Sequence, residues 1–217
     1  MGEILIITGG PVQTSFAKVY VSQRNWDVVI AADKGLDFCH ACHLVPDLIL
    51  GDFDSSDQEV LHYYASHYPD RIRRYPARKN ETDTELALNE ALLFPDKEIH
   101  ILGALGGRID HMLANIQLLQ TAVGHNRICY LIDENTKLFM TDHPVVLKKN
   151  EDAKDLVSLL AYGADVTGLT LEGFAYETKD LTLPVAGSRG ISNYLVSEEG
   201  KISFTSGILL VIETLEY

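Results

Sequence analysis

The chain has 217 residues, of which 46% are hydrophobic, and its formal net charge is −13. This composition supports one large or two small folded domains and excludes a largely disordered chain. The negative charge argues against nucleic acid and against an anionic membrane surface as partners, because both are bound through clustered Lys and Arg. A nucleotide stays possible, since a metal ion and a few local cations can neutralise its phosphates.

The sequence predicts a cytoplasmic protein. No segment approaches the roughly 18 consecutive apolar residues of a membrane-spanning helix, and Glu3 lies where a secretory signal would carry positive charge. The three cysteines, Cys39, Cys42 and Cys129, cannot make a complete disulfide framework, which fits a reducing compartment.

The first half of the chain alternates short apolar runs with segments of helical spacing. The predicted strands are residues 4–8, 28–32, 48–50, 98–102 and 127–132, and the predicted helices are residues 59–67, 84–93 and 111–123. Alternation of this kind predicts a parallel sheet wrapped by helices, which is a three-layer α/β domain.

The second half, from about Asn135, loses the helical spacing. Its predicted strands lie around Phe139 and at residues 145–147, 156–160, 166–171, 181–183, 201–205 and 209–214. Alternating segments with Gly, Asp and Asn turns between them predict a small antiparallel β-sandwich. We therefore expect an α/β domain over residues 1–134 and a β-sandwich domain over residues 135–217.

Acidic residues and glycines follow several predicted strands of the α/β domain. Asp33 and Lys34 follow the strand at 28–32, the segment GDFDS follows the next strand, and the segment GALGGRIDH follows the strand at 98–102. In parallel sheets, ligands bind outside the carboxyl ends of the strands. We therefore expect these segments to line one crevice.

The segment GDFDS has the spacing of a divalent-metal site. Residues two apart in an extended chain point the same way, so Asp52 and Asp54 can present both carboxylates to one point. Carboxylates this close repel unless a cation lies between them, and Mg²⁺ prefers oxygen ligands. Asp83, at the start of a predicted helix, is placed to supply a third carboxylate. The alternative is a polar turn in which Asp52 or Asp54 caps the next helix.

The segment GALGGRIDH, residues 103–111, predicts a phosphate-binding loop. Glycines let the backbone approach a phosphate, the following helix N-terminus favours negative charge, and Arg108 offers a fork of donors. Asp110 is a candidate general base or an acceptor for metal-bound water. The alternative is a glycine loop capped by Asp110, with Arg108 solvated. Arg78 and Lys79 are further candidate phosphate ligands, or a solvated pair.

The segment CHACH at residues 39–43 matches the haem-attachment pattern C-x-x-C-H. It lies on a predicted helix, and we expect no export signal, which covalent haem attachment would need. A tetrahedral zinc site would need ligands from elsewhere in the chain, because neighbouring helix positions diverge. We therefore expect Cys39 and Cys42 to be buried helix residues.

Taken in order, these segments resemble the thiamine pyrophosphokinase family along almost the whole chain. The matching segments are ADKG at 32–35, GDFDS at 51–55, ETD at 81–83, GGRIDH at 106–111, VSLL at 157–160, VTGL at 166–169, GISN at 190–193 and SGILL at 206–210. The resemblance implies an N-terminal α/β domain, a C-terminal β-sandwich and a homodimer. It places each active site between the α/β domain of one subunit and the sandwich of the other.

The resemblance also implies roles for individual residues. The implied magnesium ligands are Asp52, Asp54 and Asp83, and Asp110 and Arg108 complete the implied catalytic set at the transferred phosphates. The residues implied in ATP binding are Asp33, Lys34, Lys79, Gly106 and Arg108. Those implied in thiamine binding are Ser192, Asn193 and Tyr176, with the first two reaching thiamine from the partner chain. The sequence departs from the family pattern at Tyr194, where relatives often carry an acid, and at Tyr176, which stands for an expected Trp.

The implied activity is magnesium-dependent transfer of the pyrophosphoryl group of ATP to the hydroxyl of thiamine. Two alternatives stay open. One is a pyrophosphokinase for another alcohol such as a hydroxymethylpterin, against which the resemblance in the segment GISN speaks. The other is a non-catalytic ATP-binding sensor, which would need fewer carboxylates.

Overall fold

The computed structural model describes residues 2–95, 97–150 and 155–215. The chain divides into two compact units, Met1–Glu134 and Asn135–Tyr217. Within the described residues, no helix combines the length and the apolar character that crossing a membrane requires.

The first unit is built on a parallel sheet. Its strands are β1 (Gly2–Ile7), β2 (Val28–Ala32), β3 (Leu48–Gly51), β4 (Ile72–Arg74), β5 (Lys97–Leu102) and β6 (Cys129–Ile132). They lie in the order β4-β3-β2-β1-β5-β6, and neighbours pair in parallel. The chain builds the sheet outward from β1 to β4 and then returns to the other side of β1. At such a reversal, the crevice outside the carboxyl ends of the strands is the usual ligand site.

Helices cover both faces of this sheet. They are α1 (Thr14–Ser22), α2 (Gly35–Ala41), α3 (Gln58–His67), α4 (Asp83–Leu92) and α5 (Ile109–Gly124). One face packs on α1, α2 and α3 through a core that includes Leu5 and Ile7. The alternate residues Ile4 and Ile6 lie on the opposite face and are fully buried as well, and α4 contacts β1, β2 and β3. The predicted three-layer α/β arrangement is confirmed.

Helix α1 and strand β4 of this unit were not predicted. Helix α1 begins after Gln13, whose side chain makes no capping hydrogen bond, so the sequence lacks a start signal there. Strand β4 has only three residues, and its Arg73 and Arg74 are exposed, so it carries no apolar run. Neither element shows the hydrophobic periodicity from which the helices and strands were predicted.

The cysteines of the segment CHACH lie in different environments. Cys39 is buried in α2, as predicted, and burial raises the pKa of its thiol. The prediction was wrong for Cys42, which follows the helix as its C-cap and is only half-buried. Cys39, Cys42 and Cys129 are all free thiols.

The second unit is an antiparallel β-sandwich. Its strands are β7 (Thr136–Thr141), β8 (Val145–Lys148), β9 (Asp155–Glu172), β10 (Thr178–Leu183), β11 (Asn193–Tyr194), β12 (Glu199–Ser203) and β13 (Ser206–Leu215). In one sheet, strand β13 pairs with β7 and β9, and β11 also pairs with β9. In the other sheet, strand β12 pairs with β8 and β9, and β10 pairs with β9. Strand β9 therefore belongs to both sheets.

Strand β9 corrects the prediction of separate strands at residues 156–160 and 166–171. Its first half pairs mainly with β13 and its second half with β10 and β12. Gly163 and Gly168, at φ of 74° and 70°, adopt a conformation that other residues rarely take. These glycines let one long strand bend from sheet to sheet, where the sequence pattern indicated a break.

Gly35 at the start of α2 is expected to tolerate no side chain. A Cβ there would lie 2.0 Å from the carbonyl oxygen of Ile7, a backbone atom of the central strand β1. We expect Gly35→Ala to lower the free energy of unfolding by about 1–3 kcal/mol, as overpacked cores do. Urea unfolding followed by the fluorescence of Trp26, the single tryptophan, measures this change.

Gly124→Ala is the matched control for that substitution. A Cβ at Gly124 would meet no atom within 4 Å. Because alanine also restricts the unfolded chain, we expect a neutral effect or a gain of about 0.5–1 kcal/mol. Equal losses of stability in the two variants would contradict the steric explanation.

Candidate active site

A cavity of about 490 Å³ opens at the carboxyl ends of the strands of the first unit. Its walls come from the segments that follow β1, β2, β3 and β5 and from the start of α4. The residues implicated by the sequence that line it are Asp33, Lys34, Asp52, Lys79, Asp83, Gly106 and Arg108. Asp54 and Asp110 lie beside this lining, next to Asp52 and Arg108. The structure thus brings the strand-end segments of the first unit together, as the order of the parallel strands requires.

The loops that follow β1 and β5 are in backbone contact at this cavity. A Cβ at Gly10 would lie 2.0 Å from the carbonyl oxygen of Gly103. The backbone N–H and the hydroxyl of Thr8 both donate to the carbonyl of Leu102, at 2.9 and 3.2 Å. Glycine is therefore needed at position 10, and the two loops form one continuous backbone surface.

Three carboxylates meet at the ends of β2 and β3. Oxygens of Asp33, Asp52 and Asp54 lie within 4.8 Å of one another. Asp52 raises the pKa of Asp54, first through a side-chain hydrogen bond and then through its charge, and Asp33 and Asp83 add to the effect. The negative charges that contribute to this rise are what a bound cation would offset. A set of oxygen donors alone fits Mg²⁺.

Asp83 does not belong to that close group of carboxylates. It is the first residue of α4, and its carboxylate pairs with Lys79 at 2.7 Å, with side chains 25% and 11% exposed. Thr82 caps the helix by accepting a hydrogen bond from the backbone N–H of Glu85 at 3.2 Å. The structure therefore groups Asp33, rather than Asp83, with Asp52 and Asp54. Asp83 still lies close enough to influence the pKa of Asp54.

Arg108 and Asp110 form an exposed bidentate ion pair at the start of α5. Nε and an Nη of Arg108 donate to the carboxylate at 3.1 and 2.6 Å, and the backbone N–H of His111 donates to it at 3.0 Å. The side-chain hydrogen bond from Arg108 is the main cause that lowers the pKa of Asp110 to about 2. While this pair persists, Asp110 is a weak base. Arg78 is exposed and lies outside the cavity lining.

Asn115 is a site residue that the sequence analysis missed. It lies in the second turn of α5, is 7% exposed, and lines the cavity. Its Nδ2 donates to the carbonyl of Ala104 at 2.8 Å, which holds the glycine loop against the helix. The sequence did carry a signal, which is a polar amide at a position on the apolar face of a predicted helix. Because buried polar groups need hydrogen-bond partners, such an amide indicates a specific contact.

The residues implied in thiamine binding lie in the second unit, at a separate cavity of about 610 Å³. Tyr176 and Asn193 line it, and Ser192 lies outside the lining. Oδ1 of Asn193 accepts from the backbone N–H groups of Tyr176 and Tyr194, both at 3.0 Å. Its Nδ2 donates to the carbonyl of Tyr176 at 2.9 Å, and the N–H of Ser192 donates to Ser158 Oγ at 3.0 Å. The amide of Asn193 thus anchors the backbone of Tyr176.

Comparison with known proteins matches both units. Residues 21–131 match the family described as "Thiamin pyrophosphokinase, catalytic domain", and residues 142–209 match "Thiamin pyrophosphokinase, vitamin B1 binding domain". A thiamine pyrophosphokinase of Bacillus subtilis (strain 168) is 33% identical over 216 residues, which is 100% of both chains.

Solved structures agree with these matches. The crystal structure of the thiamine pyrophosphokinase from Bacillus subtilis has a TM-score of 0.89 at 30% identity, covering 99% of this chain and 100% of that chain. The thiamin pyrophosphokinase from Geobacillus thermodenitrificans has a TM-score of 0.85 at 28% identity, covering 98% and 97%. Neither alternative from the sequence analysis finds support among these relatives. The chain belongs to the thiamine pyrophosphokinase family.

Proposed function

We propose that this protein transfers the pyrophosphoryl group of ATP to the primary hydroxyl of thiamine, which produces thiamine pyrophosphate and AMP. The observation that carries the proposal is the convergence of carboxylates with a glycine loop and cations in one cavity, in a chain of this family. The hydroxyl is a poor nucleophile and the polyphosphate repels anions. The protein therefore contributes mainly positioning and charge neutralisation.

The residues that would hold Mg²⁺ are Asp52, Asp54 and Asp83. Once bound, the ion would neutralise charge on the phosphate oxygens. Two of these carboxylates already lie together, and the charge of Asp83 reaches Asp54. The ion pair between Lys79 and Asp83 places one anionic and one cationic group at the same wall. We propose that the carboxylate of Asp83 binds the metal and that the ammonium group of Lys79 binds a phosphate.

ATP binding is proposed for Asp33, Lys34, Lys79, Gly106 and Arg108, which all line the cavity. The lysines and Arg108 would face phosphate oxygens, with the guanidinium suited to two of them. The proton of the attacking hydroxyl would go to Asp110 or to a carboxylate at the metal. The lowered pKa of Asp110 makes it the weaker base and favours the second choice as long as Arg108 holds it.

Thiamine contacts are proposed for Ser192, Asn193 and Tyr176, supplied by the partner subunit of a cytoplasmic homodimer. The rings of Tyr176 and Tyr194 lie 6.4 Å apart, and Tyr176 is 68% exposed. Exposed aromatic faces suit the cationic thiazolium of thiamine. This observation supports an aromatic contribution to the thiamine site from the second unit.

Product analysis tests the proposed reaction. With thiamine, ATP and Mg²⁺, we expect thiamine pyrophosphate and AMP in equal amounts, and EDTA should abolish both because the phosphate charge is no longer neutralised. Mass spectrometry measures the products. If AMP forms with a hydroxymethylpterin but not with thiamine, the pterin and not thiamine is the substrate. Magnesium-dependent ATP binding without AMP from either alcohol would favour the sensor.

Asp52→Asn tests the metal carboxylates. We expect kcat to fall by about 10²- to 10³-fold, as when an enzyme loses one preorganised electrostatic group. The fold should survive, because the side chain is only partly buried at a loop. Steady-state kinetics and circular dichroism measure these two effects. Asp70→Asn, at an exposed position outside the cavity lining, is the charge-matched control and should keep full activity. A fully active Asp52→Asn enzyme would remove this carboxylate from the mechanism.

Arg108→Met tests the cause of the low pKa of Asp110. Without the guanidinium, the ionised carboxylate loses its main stabilising partner, so the pKa should rise from about 2 toward its ordinary value of 3.8. Carboxyl ¹³C NMR titration measures it. Arg73→Met, which removes an arginine paired instead with Glu90, should leave the pKa of Asp110 unchanged. The same pKa in both variants would show that Arg108 is not the cause.

A further inference from the structure

Asp33 is anchored between the end of β2 and the β3–α3 loop, which comprises residues 52–57. Its backbone N–H donates to the carbonyl of Leu50, in the neighbouring strand β3, at 2.8 Å. Its φ is 48°, in the left-handed region that Asp tolerates better than most residues. The backbone of Asp33 is therefore fixed at the point where the loop carrying Asp52 and Asp54 begins.

Both carboxylate oxygens of Asp33 accept hydrogen bonds from this loop. The hydroxyl of Ser55 donates to Oδ2, and the hydroxyl of Ser56 donates to Oδ1 at 3.4 Å. Ser56 is 6% exposed, so water has little access to its hydroxyl. These bonds join the end of β2 to the two residues that directly follow Asp54.

The start of the loop is packed against Asp33 as well. A Cβ at Gly51 would lie 3.1 Å from Cα and 3.3 Å from Cβ of Asp33, and Gly51 has a φ of 149°. Within the loop, the backbone N–H of Asp54 donates to Oδ1 of Asp52 at 3.1 Å. Contacts of Asp33 therefore fix the chain on both sides of Asp52 and Asp54.

From these contacts we infer that Asp33 is a positioning residue: by holding Ser55 and Ser56, it sets the loop geometry that brings the carboxylates of Asp52 and Asp54 together. This role rests on the proposed function, because it concerns the same cation site. The competing role is that of a direct metal ligand, since the oxygens of Asp33 lie within 4.8 Å of the other two carboxylates. The two hydroxyl donors, one on each oxygen, tie the side chain of Asp33 directly to the loop, and this link is the contact that positioning requires.

Mn²⁺ binding without nucleotide, measured by electron paramagnetic resonance, separates the two roles. Mn²⁺ takes the same oxygen ligands as Mg²⁺. The double variant Ser55→Ala/Ser56→Ala keeps the charge of Asp33 and removes both hydrogen bonds. We expect it and Asp33→Ala each to weaken Mn²⁺ binding by about 10- to 100-fold, the usual cost of losing groups that orient metal ligands. Asp33→Asn keeps an oxygen acceptor for the serines and should lose less than Asp33→Ala.

The triple variant, Asp33→Ala with both serine changes, should bind Mn²⁺ no more weakly than Asp33→Ala, because the same bonds are removed. Thermal unfolding of each variant confirms that binding is compared between folded proteins. Wild-type affinity in the serine variant, with equal losses in Asp33→Asn and Asp33→Ala, would overturn the inference and make Asp33 a ligand. If the wild-type protein binds no Mn²⁺, the proposed metal site itself fails, which is a separate result.

Discussion

Repulsion among carboxylates at one edge of a parallel sheet is the constraint on which the site depends. Asp33, Asp52 and Asp54 come from the ends of neighbouring strands, and their oxygens lie within 4.8 Å of one another. A side-chain hydrogen bond with Asp52 is the main cause that raises the pKa of Asp54, and the charges of Asp52 and Asp33 add to it. The sheet tolerates this arrangement because strands β2 and β3 are buried on both faces and hold the loops in place. Hydrogen bonds to Asp33 offset part of the repulsion, and a bound cation would offset more of it.

Two cations of the cavity are kept in place by acidic neighbours. Lys79 pairs with Asp83, and Arg108 pairs with Asp110. In a chain of net charge −13, these local pairs place positive charge where a polyphosphate would bind without making the whole surface basic. An anionic ligand would exchange one partner of each pair for phosphate oxygens. The pair of Arg108 and Asp110 therefore bears on ligand binding more than on stability, since exposed pairs stabilise a fold little.

Most of the fold could be predicted from the sequence, and each error of prediction has a specific cause. Strands β2 and β3 were predicted because buried parallel strands are continuous apolar runs. Strand β4 and the bend in β9 were missed, since three residues make no periodic pattern and a glycine in a strand indicates either a turn or a bulge. At the site, Asn115 was missed because its partner, the carbonyl of Ala104, lies in the loop before α5 and not in the helix itself.

The sequence by itself determined which residue types could serve the site and at which strand ends they lie, because strand periodicity and the strand-end rule are local properties. Only the tertiary structure decided which carboxylates meet. It placed Asp33 beside Asp52 and Asp54, and it paired Asp83 with Lys79. These distances depend on strand order and loop hydrogen bonds between residues far apart in the chain. No local pattern of residues encodes such contacts.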